Sequence, residues 1–202
     1  NQNKSIVHRI NGAGHPRLVF ELDTFLVNQP YHYRIDEDYL IRKQNRDSVK
    51  DWAIGQIISA SFLLDRLSNI STSTDGMFPE LSLFDCNACH RSISDLQSKE
   101  FITHKPGVPR LNDSNLIMVG ILSYLIAPEI ADIISAGPDQ LHLATSNGLD
   151  DVADVAKDLN LYIKILFNKI ENFEFDHNMK VKLLLNILEK GAGGVYEDFM
   201  DA

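Results

Sequence analysis

A chain of 202 residues, 44% hydrophobic and 23% charged, is long enough to bury a sizeable core, and no block of it is biased enough to stay unfolded. Nineteen Lys and Arg against 28 Asp and Glu leave a net charge of -9 with the basic residues scattered, which argues against a nucleic acid or an anionic membrane as partner and for a basic or polar protein surface. The length favours one domain.

The polar opening "NQNKS" fits either a mature exported protein after signal removal or a trimmed cytosolic one. Residues 1–16 are interrupted by Gly12 and Gly14, which oppose a helix until Pro16, a residue suited to a first helical position. A helix is predicted from about Arg17 to Val27, with Leu18, Phe20, Leu22, Phe25 and Leu26 as its apolar side. "NQPYHYRIDEDYLIRKQNR" reads as a polar connection dotted with aromatics. The next stretch, "DSVKDWAIGQIISASFLLDRLSNI", reads as a long helix capped by Asp47 or Ser48.

"STSTDGMFPE" carries a loop signal, and the only two cysteines follow it in "LFDCNACHRSI". A second loop, "THKPGVPRLNDS", ends in Asp113 and Ser114 as helix caps. The apolar run from Asn115 to Ala136 reads as a core helix, since Pro128, Glu129 and Asp132 interrupt it too soon for a bilayer span. Two further helices are expected, "LDDVADVAKDLNLYIKILFNKIENF" and "HNMKVKLLLNILEKG", the second closed by Gly191, and a short amphipathic "GVYEDFMD" ends the sequence. Without βαβ alternation, hairpin ladders or repeats, the class is mainly α.

Cys86-Asn87-Ala88-Cys89-His90 is the CxxCH pattern of c-type haem attachment: two thiols three positions apart reach the two vinyl groups along one porphyrin edge, and the following His becomes the proximal ligand. Two cysteines fall at this spacing by chance about once in 100 times, so coincidence explains it poorly. A thioredoxin-type dithiol would sit in a βαβ setting, and a structural zinc site would want a second ligand pair; neither context is present. Phe78, Leu81, Leu83, Phe84 and Ile93 around the motif suit a porphyrin wall, and each alone suits plain core.

The opposite face of the iron decides function. His15, between Gly14 and Pro16, is held extended just ahead of the predicted helix and is the first candidate for a second axial ligand. His8 could share one loop with it. His177 looks like a helix-start residue; His32, His104 and His142 have little around them to argue from, and His15 itself could be a helix N-terminal residue with no metal.

"HRINGAGHPRLVFEL", "PYHY", "DWAIGQIISA" and "FPELSLFDCNACHRSI" stand in the order of similar segments in multihaem c-type cytochromes, so residues 8 to 95 resemble that family. The resemblance implies a helical c-type cytochrome domain over 1–202, with a haem-binding part at 1–110 and a C-terminal helical bundle at 111–202. It implies thioether attachment at Cys86 and Cys89, His90 as proximal and His15 as distal ligand of one haem c, and His8 as a histidine that often serves a neighbouring haem. Trp52 and Phe84 are expected near the porphyrin. Relatives carry several CxxCH motifs and this chain one, so electrons would pass to a redox partner protein, to other haem subunits or to like copies.

The expected function is electron transfer by a bis-histidine haem, with no acid-base constellation in view. The alternative is a peroxidase-like enzyme or gas sensor with an open distal face; a third is a haem-free module whose thiols form a disulfide. Haem attachment would fix the location outside the cytoplasmic membrane, periplasmic or extracellular.

Overall fold

The computed structural model describes residues 6–15, 22–29, 32–43, 47–90 and 108–196. Helices make up 71% and strands 4% of it, so the chain is mainly α. In chain order the helices are α1 (His8–Gly12), α2 (Leu22–Asn28), α3 (Glu37–Arg42), α4 (Ser48–Leu67), α5 (Ile70–Ser73), α6 (Cys86–Cys89), α7 (Ser114–Ile126), α8 (Pro128–Ser135), α9 (Gly137–Thr145), α10 (Leu149–Ile170) and α11 (His177–Ala192). Between α5 and α6 a two-residue antiparallel pairing joins β1 (Thr74–Asp75) to β2 (Phe78–Pro79), followed by a 3-10 turn over Leu81–Leu83.

The core is organised by α7. Its composition is apolar on every side, and Leu116, Val119, Gly120, Ile121, Leu122 and Ile126 are all buried, which is the pattern of a helix enclosed by others. It packs against α4, α8 and α11. In α4 the residues Ala53, Ile57, Ala60, Leu64 and Leu67 recur at alternating steps of four and three, a single buried face at helical period. That face meets the equivalent stripe of α10, including Ala156, Leu159, Ile163 and Leu166.

The α4 and α10 axes run antiparallel. Lys50 Nζ donates to the Glu171 carbonyl at 2.7 Å at one end, and Ser61 Oγ donates to Asn160 Oδ1 at 2.9 Å further along. Asn160, 4% exposed, uses its amide to donate to Asp65 Oδ1 at 2.6 Å, so the polar group inside this apolar seam is satisfied. One cluster of buried hydrophobics contains α4, Leu83, Leu111 and the helices from α7 onward, so the 1–110 and 111–202 parts share a core.

Several expectations need correction. The apolar run Asn115–Ala136 is two helices: Pro128, which cannot donate to the preceding turn, starts α8 at its first position while Ala127 leaves helical geometry at ψ 67°. Gly191 lies inside α11, which continues to Ala192, and Gly194 takes the left-handed conformation at φ 73° instead. The Gly-interrupted start folds into α1, and the connection ahead of α4 contains α3, capped by Asp36 accepting from the Tyr39 N–H at 2.8 Å. The span "GPDQLHLAT", assigned no element from the sequence, is α9. Residues 17–21 of the predicted Arg17–Val27 helix lie outside the described residues, as do Ile93, His104 and most of the "GVYEDFMD" end.

Candidate functional site

Cys86 and Cys89 bracket the single turn α6, and both thiols are exposed and unbridged. The turn is closed by the His90 N–H, which donates to the Cys86 carbonyl at 2.8 Å, so the three motif side chains follow one another around one helical turn. Ahead of them the chain is extended and anchored. The Asp85 N–H donates to the Arg110 carbonyl and the Asn112 N–H to the Leu83 carbonyl, both at 2.9 Å, around a bridge between Phe84 and Leu111. Phe84 is half-buried against the core and Leu83 is buried.

Behind this pairing lies a buried polar cluster. Asp113, only 2% exposed, accepts from Arg110 Nε at 3.1 Å and from Nη2 at 3.2 Å. His142 of α9 is buried as well; its Nε2 accepts from the Leu111 N–H at 3.3 Å and lies 3.5 Å from Asp113 Oδ2. Asp113 therefore stands at the cap position of α7 while its carboxylate serves the Arg110 side chain rather than the helix N–H groups. His142, which the sequence left without surroundings, holds Leu111 in the segment that pairs with the residues leading into the cysteine turn.

A second anchoring is made by the N-terminal segment. Ser82 Oγ donates to the Ile6 carbonyl at 3.0 Å, the His8 N–H donates to Glu80 Oε1 at 2.8 Å, and Arg9 pairs with Asp75 at 3.0 Å. Glu80 is 3% exposed. Burial pushes its carboxyl up, but N–H groups of Ser82 and His8, the Ser82 hydroxyl and the Arg66 charge outweigh burial and hold it below the usual carboxylate range. An ionised Glu80 thus fixes the start of α1 beside the cysteine turn.

The consequence is a histidine pair. The rings of His8 and His90 have centroids 6.5 Å apart and planes inclined by only 19°. Two imidazoles on opposite sides of one iron, each nitrogen about 2 Å from the metal, would place their centroids about 6 Å apart, so the separation of the pair is of the size that two axial ligands need. The donor types are compatible: a porphyrin supplies four nitrogens of its own, so two histidines would suffice to complete the coordination of its iron.

The remaining candidates are placed as follows. His15 is exposed just after α1, its N–H donating to the Ile10 carbonyl at 3.2 Å, with Gly14 before it at φ 90°. Trp52 lies on α4, half-buried against the core. Among the expected apolar walls Phe78 and Leu81 are exposed. His32 makes an edge contact with Tyr33, and His177 opens α11 behind its cap Asp176. Glu80 and His142 were missed by sequence reasoning, because neither belongs to a spaced motif or an apolar period.

No protein family, curated protein or solved structure matches this chain.

Proposed function

We propose that the protein is an electron-transfer c-type cytochrome carrying one haem, joined through thioethers to Cys86 and Cys89, with His90 on one face and His8 of the same chain on the other. The observation that carries this reading is the near-parallel His8 and His90 pair at 6.5 Å, next to two exposed thiols at haem-attachment spacing. When bound, haem supplies a one-electron ferric/ferrous couple.

The chain's residues would do the rest. Cys86 and Cys89 fix the porphyrin edge at the surface, where an electron can be exchanged with a redox partner, another haem subunit or a like copy. His90 and His8 close both faces, and two imidazoles keep the potential below that of His/Met ligation. Glu80 holds His8 in place through its backbone N–H. His15, the histidine implied as distal ligand by the family resemblance, becomes a flanking residue in this arrangement. Attachment of haem would place the protein outside the cytoplasmic membrane, periplasmic or extracellular. No helix among the described residues is long and apolar enough to cross a membrane.

One observation favours a second reading. None of the five residues of α1 is buried, so the segment bearing His8 is held by a few polar contacts and could swing away to leave an open distal face, as a haem enzyme or gas sensor needs.

The test is to produce the protein in a host that attaches c-haem, record its intact mass, and take visible spectra of both oxidation states with and without carbon monoxide. One haem mass added and a low-spin spectrum indifferent to the gas are expected. A protein of unmodified mass overturns the haem reading. A gas-sensitive, high-spin spectrum overturns the closed iron in favour of catalysis or sensing.

A further inference from the structure

The helix α11 carries two apolar faces where a surface helix ordinarily has one. Its inner face, with Leu183 buried and Met179 and Ile187 half-buried, packs on the core beside α7. On the other side Val181, Leu184, Leu185 and Leu188 are 44%, 57%, 52% and 58% exposed, at spacing i, i+3, i+4, i+7. They form a continuous stripe that no described part of the chain covers, of the kind that marks an interaction surface.

The stripe is symmetric about the midpoint between Leu184 and Leu185. A second α11 laid against it antiparallel, around a two-fold axis, sets Val181 level with Leu188 of the other copy and Leu184 level with Leu185, so the surface is complementary to itself. The flanking charges agree. Lys182 and Glu189, both exposed and seven positions apart, lie on one flank, and the two-fold axis brings Lys182 of each copy within about 3 Å, along the helix axis, of Glu189 of the other. On the opposite flank Lys180 is already paired with Asp47 of its own chain at 3.0 Å.

We infer that α11 is a dimerisation surface: two copies of this chain pair through the Val181, Leu184, Leu185 and Leu188 stripe in antiparallel register, framed by two Lys182 to Glu189 contacts. The inference stands apart from whatever the cysteine pair carries, since no residue of the stripe belongs to the His8 and His90 site.

Sedimentation velocity over a concentration series tests it on the whole chain. The wild type is expected to show a reversible monomer-dimer equilibrium. Leu185→Glu, which buries an unpaired charge at the centre, is expected to weaken association at least about 100-fold. Lys182→Glu, setting like charges side by side, is expected to weaken it several-fold, and the swap Lys182→Glu with Glu189→Lys to restore it. Because these residues face outward, circular dichroism and the thermal midpoint of the diluted variants serve as the folding control. A wild type that sediments as a monomer throughout overturns the proposal, as does a folded Leu185→Glu variant that still dimerises. Failure of the charge swap to restore association overturns the antiparallel register.

Discussion

The backbone N–H of His8 donates to the carboxylate of Glu80, 72 positions later in the chain, at 2.8 Å. The same oxygen accepts the Ser82 N–H at 3.0 Å, so one buried carboxylate ties α1 to the segment that leads into the cysteines. Glu80→Ala removes the acceptor and leaves two N–H groups to find water, which costs about 1–3 kcal/mol. Because α1 has no buried side chain to hold it otherwise, the expected result in the haem-loaded protein is a carbon-monoxide-binding fraction several-fold above wild type. Glu80→Gln, which keeps an acceptor oxygen, is expected to fall in between. Gas titration followed by visible absorption checks both, and a Glu80→Ala protein as closed as wild type would count against His8 as the second ligand.

His8→Ala and His15→Ala separate the two histidines directly. With His8 as the ligand, only His8→Ala turns the low-spin spectrum high-spin, and added imidazole restores it. The opposite pattern would return the role to His15.

Asp47 caps α4 and pairs with Lys180 of α11 at 3.0 Å, joining the two helices that flank α7. Burial pushes its carboxyl up, but the Lys180 hydrogen bond and charge and the N–H groups of Lys50 and Val49 prevail and hold it below its ordinary value. A carboxyl depressed in the folded state contributes stability that is fully present above its unfolded value, about 4, and is lost as pH falls through the folded value. Asp47→Ala is therefore expected to cost about 1 kcal/mol near neutral pH, mostly as a lost cap with a small share from the half-exposed ion pair. The charge-dependent share of that difference should vanish once both are acidified below the folded value, leaving what the neutral acid still contributes as a cap; urea unfolding at the two pH values measures it.

The elements legible in the sequence were those whose evidence is local. The four-three spacing of apolar residues and the Asp47 cap mark α4, and the long stripe marks α10, because helical period and caps are written within a dozen residues. A proline's effect is local too, yet Pro128 is ambiguous between interrupting a helix and beginning one; the apolar residues on both sides continue the period, and the break shows only in the turn at Ala127. Helix α9 begins "GP", the signature of a turn, and its burial of Leu141 and His142 comes from tertiary packing. At the site, CxxCH states its spacing in five letters, whereas the approach of His8 to His90 depends on Glu80, Ser82 and Asp75 meeting a distant segment. No periodicity encodes such a pairing.

The buried cluster behind the cysteine turn gives the last prediction. Asp113 lies 2% exposed between Arg110 and His142, and Arg110 also offers its carbonyl to the Asp85 N–H immediately before Cys86. Removing one charge strands the other in a site of low polarity, so Asp113→Ala or Arg110→Met is expected to cost about 3–5 kcal/mol in denaturant unfolding. Replacing both, Asp113→Leu with Arg110→Met, leaves no stranded charge of that pair and should cost much less than the sum of the single changes, a coupling that a double-mutant cycle reads directly. The chain segment 110–112 is what Leu83 and Asp85 pair with, so the single variants should also loosen the cysteine turn. In the haem-loaded protein this is expected to appear as a larger high-spin fraction at denaturant concentrations well below global unfolding. Single variants that lose stability with no earlier spectral change would confine the cluster to holding the core.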